Sequence, residues 1–130
     1  MTLESVFKFV VEPGGRRAAW SILGFVEAWQ SLVDEVETGY GGDVYEYEAE
    51  LSVRDDLERA IVSPELKLLD EWASFRAQVL VADAQLRHLL GPIVREGGPW
   101  WRSRVPARAG AEFVSDVQRI FGVTIDVVDE

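Results

Sequence analysis

An apolar residue recurring every three or four positions, sustained over two long stretches, is the feature that leaves this chain fewest ways to fold. Between about Arg17 and Glu37, Ile22, Val26, Trp29, Val33 and Val36 alternate at spacings of four and three, and Ala18, Phe25 and Leu32 widen the stripe. That is the period of one helix face turned to a core. Glu27, Gln30, Ser31, Asp34 and Glu37 fall mainly on the opposite side, and Thr38-Gly39 with Gly41-Gly42 stop the run.

A second helix is expected to start at Ser63-Pro64-Glu65, where serine caps, proline suits the first helical position and glutamate suits the positive end of the dipole. Its stripe is Leu68, Trp72, Phe75, Val79, Ala82, Leu86 and Leu89, and Gly91-Pro92 ends it. A third helix is expected from about Ala107 to Phe121, with Ala109, Phe113, Val117, Ile120 and Phe121 inward, Gly122 as the stop, and Arg108 and Glu112 one turn apart. The three stripes should meet in one core containing Trp29, Trp72, Phe75, Val79, Phe113 and Ile120.

The stretch 43–61 reads two ways. Tyr45, Tyr47, Ala49, Leu51 and Val53 alternate with Glu46, Glu48, Glu50 and Ser52 as in a half-buried strand, yet Val44, Tyr47 and Leu51 also form a helical stripe. Glutamate and alanine favour helix, and Ser52 with Asp55 resembles a capping box, so helix or helix-break-helix is preferred. Val6 to Val11 and Val123 to Val128 are β-branched and aromatic enough for short strands that could pair with each other. The expected fold class is mainly α, a compact bundle of about four helices in a single globular domain over 1–130, with room for short terminal strands. The alternative is α+β with a small antiparallel sheet.

Function is written less clearly, and what there is lies in the charge. From Asp34 to Glu58 there are ten acidic residues against Arg54 alone, so one segment holds nine of the chain's ten net negative charges. All three tyrosines, Tyr40, Tyr45 and Tyr47, fall inside it. A merely solvated face gains nothing from clustered tyrosines, whereas a surface gripping a basic protein uses carboxylates to steer and tyrosines to anchor. The expected contact residues are Asp34, Glu37, Tyr40, Asp43, Tyr45, Glu46, Tyr47, Glu48 and Glu50.

A second patch, PWWRSRVPAR from Pro99 to Arg108, sets Trp100 and Trp101 beside Arg102 and Arg104, and from Arg87 to Arg108 five arginines face one glutamate. Such a pairing can stack on a ligand, but the plainer expectation is that a tryptophan plugs the bundle while the arginines meet the protein's own carboxylates.

Several chemistries are excluded or left without support. With no cysteine there is no disulfide, thiolate metal site or thiol nucleophile, and a reducing compartment is compatible. The only histidine, His88, lies off the apolar stripe with no nucleophile to assign to it. Glu46 with Glu50, and Asp34 with Glu37, have spacings that set two carboxylates side by side, but no Asp-rich loop or histidine ligand accompanies them, so no metal or cofactor is expected. The Gly39-Tyr40-Gly41-Gly42 turn lacks the lysine of a phosphate cradle and runs into Asp43. MTLESVFKFVVEPGG carries Glu4 and Lys8 and no basic leader, unlike a secretory signal, and no apolar run reaches the ~18 residues of a membrane span. A net charge of -10 repels nucleic-acid backbones and anionic lipid.

The expectation is therefore a cytoplasmic, non-catalytic acidic module that binds a basic protein, as a bacterial immunity protein or antitoxin does, and binds neither nucleic acid nor membrane. Two alternatives remain. One is a ligand-binding or enzymatic bundle in which Glu46, Glu50 or Asp55 faces Arg102 or Arg104 across a cleft. The other is a structural homo-oligomer completed by a second copy.

Overall fold

Ser21 decides where the first apolar stripe becomes helix. Its hydroxyl accepts the Gly24 N–H at 3.1 Å, so helix α2 runs Ile22–Thr38 rather than from Arg17, and Gly15–Ala19 forms a 3-10 turn that leaves Ala18 exposed. The computed structural model describes residues 2–128. Among these are seven helices and two small strand pairs, a mainly α architecture with a minor antiparallel sheet.

The N-terminal segment is a helix, not the expected strand. Thr2 and Ser5 cap one another across the first turn of α1 (Leu3–Val11), whose buried Val6, Phe7 and Val11 have helical spacing. The cap and this 3.6-residue period outweigh the strand preference of the β-branched side chains.

The acidic stretch is one unbroken helix, α3 (Val44–Val62), capped by Asp43, whose carboxylate accepts the Glu46 N–H at 2.7 Å. No new helix begins at Ser52. Its hydroxyl turns back to the Ala49 carbonyl within the helix, so the Ser52–Asp55 capping box does not form. Buried residues of α3 include Val44, Tyr47, Leu51, Val53, Leu57, Ala60 and Ile61, and its neighbours include α1, α2 and the helices that follow it.

The second stripe is interrupted. Ser63 caps a single turn, α4 (Pro64–Lys67), the chain then bends, and α5 runs Trp72–Leu89. The bend lets Leu66 bury completely between α1 and α3, which a straight continuation of α5 could not do. As a result Leu68 is 85% exposed and Trp72 is only half-buried, its indole N–H donating to the Ile61 carbonyl at 3.1 Å.

Helix α5 feeds β1 (Leu90–Ile93), which pairs antiparallel with β2 (Arg104–Pro106) and so closes the Trp-Arg loop, whose α6 is Trp100–Ser103. Strand β3 (Arg108–Ala109) takes residues expected to open the third helix, and α7 spans Ala111–Phe121. Arg108 consequently donates to the Glu37 carbonyl at 3.3 Å instead of pairing with Glu112. Helix α7 is the crossover that lets β4 (Asp126–Val127) lie parallel to β3. The C-terminal strand thus exists, but its partner is β3 and not the N-terminus.

Trp29, Phe75, Val79 and Phe113 lie in the buried cluster as expected, whereas Trp72 is at its margin and Ile120 is 38% exposed. Gly39 closes α2 at φ 114°, and a side chain there would strike Val128 at 2.5 Å. No helix among the described residues is long and apolar enough to cross a membrane.

Candidate functional site

The acidic segment divides into two halves with different fates. In the second half, every charge of Arg54, Asp55 and Asp56 is engaged inside the molecule. Arg54, buried to 3% exposure, grips Asp83 of α5 with two hydrogen bonds of 2.9 Å, and Asp83 also accepts the Trp29 indole N–H at 2.9 Å. Arg54 reaches Glu58 at 3.1 Å as well. Asp55 receives the Trp101 indole N–H at 2.8 Å and the Arg102 guanidinium at 2.6 Å. Burial alone would raise the Asp55 carboxyl, but these charged and indole donors hold it below its ordinary value. Asp56 lies 3.3 Å from Arg59 and 3.8 Å from Arg17, and there burial prevails and raises the carboxyl.

The first half has few such partners. Asp34, Glu37 and Glu46 are exposed, Asp43 is spent as the cap of α3, and Glu48 pairs with Arg95 at 2.7 Å. Glu50 accepts the Tyr40 hydroxyl at 3.0 Å. Its carboxyl is pushed up by partial burial and by repulsion from Glu35 and Glu46, against the pull of the Tyr40 hydrogen bond and Arg17. Asp34, Glu35, Glu37, Glu46 and Glu50 have no cation within 4.0 Å among the described residues.

The tyrosines do not share one surface. Tyr40 and Tyr47 are each 2% exposed and meet Phe113 edge to face, the three ring centroids being 5.2 to 5.5 Å apart. They are core residues, and as partner anchors they are corrected. The helical register of α3 turns Val44, Tyr47 and Leu51 inward together, and Tyr40 caps that row from the preceding loop. Burial raises both hydroxyl pKa values, and the Glu50 hydrogen bond and charge raise Tyr40 further. The Tyr47 hydroxyl is buried without a hydrogen-bond partner. Tyr45, at 65% exposure, is the tyrosine left on the surface, with Arg119 beside it.

The Trp-Arg patch also divides. Trp101 is buried, with the Arg54 guanidinium 4.3 Å from its ring, and Arg102 serves Asp55. Trp100 is half-buried and Arg104 is exposed, and both line a surface recess of about 250 Å³ with Arg87, Leu90 and Ser103.

The cleft imagined between the two patches is closed. Asp55 and Arg102 are in direct contact, Glu46 and Glu50 pair with neither Arg102 nor Arg104, and the space between Tyr47, Arg102 and Arg104 is about 10 Å³. His88 is exposed on the last turn of α5.

Sequence reasoning missed Asp83, although a signal was present. It falls between Ala82 and Leu86 on the buried side of α5, and an acid there demands a cation. It also passed over Glu35, which crowds Glu50. Comparison with models of known protein families, with curated proteins and with solved structures finds no match.

Proposed function

We propose that the chain is a non-catalytic module that neutralises a basic protein partner, in the manner of a bacterial immunity protein or antitoxin, and that it works in the cytoplasm. The observation that carries this reading is the division of the acidic segment. Arginines are spent on the second half of α3, whereas the end of α2 and the first turns of α3 keep five carboxylates without a cation, and Tyr45 of the same segment is exposed. Uncompensated exposed charge adds little to stability but raises encounter rates with a cation-rich surface.

Capture from native lysate identifies the partner, and stopped-flow association then tests the reading. Asp34→Asn, Glu37→Gln and Glu46→Gln together should slow association, and raised salt should slow the parent protein in the same way. Tyr45→Ala should act on dissociation instead, by ~2 kcal/mol if Tyr45 is central to the contact. An acidic partner, or rates indifferent to both salt and these substitutions, would overturn the proposal.

One observation favours a second reading. Leu23 of α2 and Val81 of α5 are exposed along the groove between these helices, as in a surface completed by another copy. Sedimentation velocity across a concentration range separates monomer from dimer.

A further inference from the structure

The recess at the junction of α5 and β2 has a composition unlike the rest of this acidic molecule. Arg87, on the last turn of α5, and Arg104, the first residue of β2, both line it, with Leu90, Trp100 and Ser103 completing the wall. The chain brings the two cations together because α5 runs straight into β1 and β1 pairs back onto β2.

Arg87 is already positioned. Its guanidinium lies 4.0 Å from the Trp100 ring centroid, and Trp100 stands edge-on against Trp101 at 5.7 Å, which Asp55 anchors in turn. Cation–π attraction of this kind restrains the side chain while leaving its N–H donors unspent. Ser103 donates its hydroxyl to the Trp100 carbonyl at 3.0 Å, so the charged donors of the recess are those of the two arginines.

The chain has 23 carboxylates for 13 cations, and Arg17, Arg54, Arg59, Arg95, Arg102 and Arg119 all find one. Arg87 and Arg104 form no ion pair among the described residues, yet they face one cavity. Two like charges at one recess repel until an anion stands between them. A tetrahedral oxyanion presents oxygens in several directions and so can receive two guanidinium forks arriving from different elements.

We propose that Arg87 and Arg104 form a binding site for a phosphate-class oxyanion, free or carried as a phosphate monoester. The Trp100–Arg87 stack holds one side of the site ready, and Arg104 closes the other.

The test is a nuclear magnetic resonance titration of the full chain at low salt with two probes, inorganic phosphate and N-acetyl-phosphoserine amide. Saturable shifts of the Trp100 indole N–H are expected with at least one probe. Arg104→Gln should weaken that binding by about tenfold or more, with its thermal midpoint showing the fold intact, while Arg76→Gln, an equal loss of charge outside the recess, should change it by less than about twofold. A tenfold preference for phosphoserine amide would assign the site to a phosphorylated partner, and equal binding would assign it to the free ion; both support the proposal. Absence of saturation with both probes, or equal weakening by Arg76→Gln and Arg104→Gln, overturns it.

Discussion

Tyr40 and Tyr47 occupy the same aromatic cluster, but only one of their hydroxyls is used. Tyr47 buries its O–H with no partner, a cost that phenylalanine would not incur, so Tyr47→Phe should leave stability unchanged or raise it by up to ~1 kcal/mol. Tyr40→Phe removes the hydrogen bond to Glu50 and should lower stability by ~1 kcal/mol. Chemical denaturation of the two variants checks both, and a loss at Tyr47 equal to that at Tyr40 would mean its hydroxyl has found a partner in solution.

Glu50 carries a pH consequence of its own. Its carboxyl is raised in the folded state, so its contribution to stability is fully present below the unfolded value and is lost as pH rises through the folded one. Glu50→Gln should therefore match or exceed the parent in thermal stability at pH 7 and lose that advantage as pH falls through the carboxylate range. Asp55 runs the other way. Held low by Arg102 and Trp101, it stabilises above its unfolded value and ceases to do so in acid.

At the scale of elements, α2, α3 and α5 are joined by a charge buried among them. Removing Asp83 leaves Arg54 without its bidentate partner, so Asp83→Ala should cost about 3–5 kcal/mol. Trp29→Ala, at a fully buried ring, should fall in a similar range. Trp72→Ala should cost clearly less than either, because the ring is half-buried at the start of α5. Urea unfolding orders the three, and a Trp72 variant as unstable as the Trp29 variant would place its ring in the true core.

This ordering marks how far the sequence could be read. The α2 stripe and the stretch from Phe75 to Leu86 were legible because a long amphipathic period has one interpretation. The α4–α5 bend was not, since Leu68 and Trp72 continue the rhythm faultlessly and only the tertiary demand to bury Leu66 breaks it. Strand β3 was equally hidden, for a two-residue strand has no period of its own. The acidic segment announced its charge but not which carboxylates Arg17, Arg59 and Arg102 would claim, and the burial of Tyr40 depends on Phe113, far along the chain.

For the molecule as a whole, basic side chains fasten the second stretch of α3 and leave most carboxylates of the first unpaired. Arg102→Gln should lower the melting temperature by removing the Asp55 contact, and leave the association rate with a basic partner unchanged. A slower association with unaltered melting would exchange the roles proposed for the two halves.

The same fastening has a meaning for synthesis on the ribosome. Helix α3 is made early, but Asp83 lies 29 residues beyond Arg54 and Arg102 lies 47 beyond Asp55. A nascent chain that has emerged only through α4 can therefore pack α3 on α1 and α2, but Arg54 still lacks Asp83 and Asp55 still lacks Arg102. The inward charges of α3 are fully matched only when Arg102, in the last third of the chain, has been made, and until then the side of that helix that receives α5, α6 and α7 is the surface a chaperone would find.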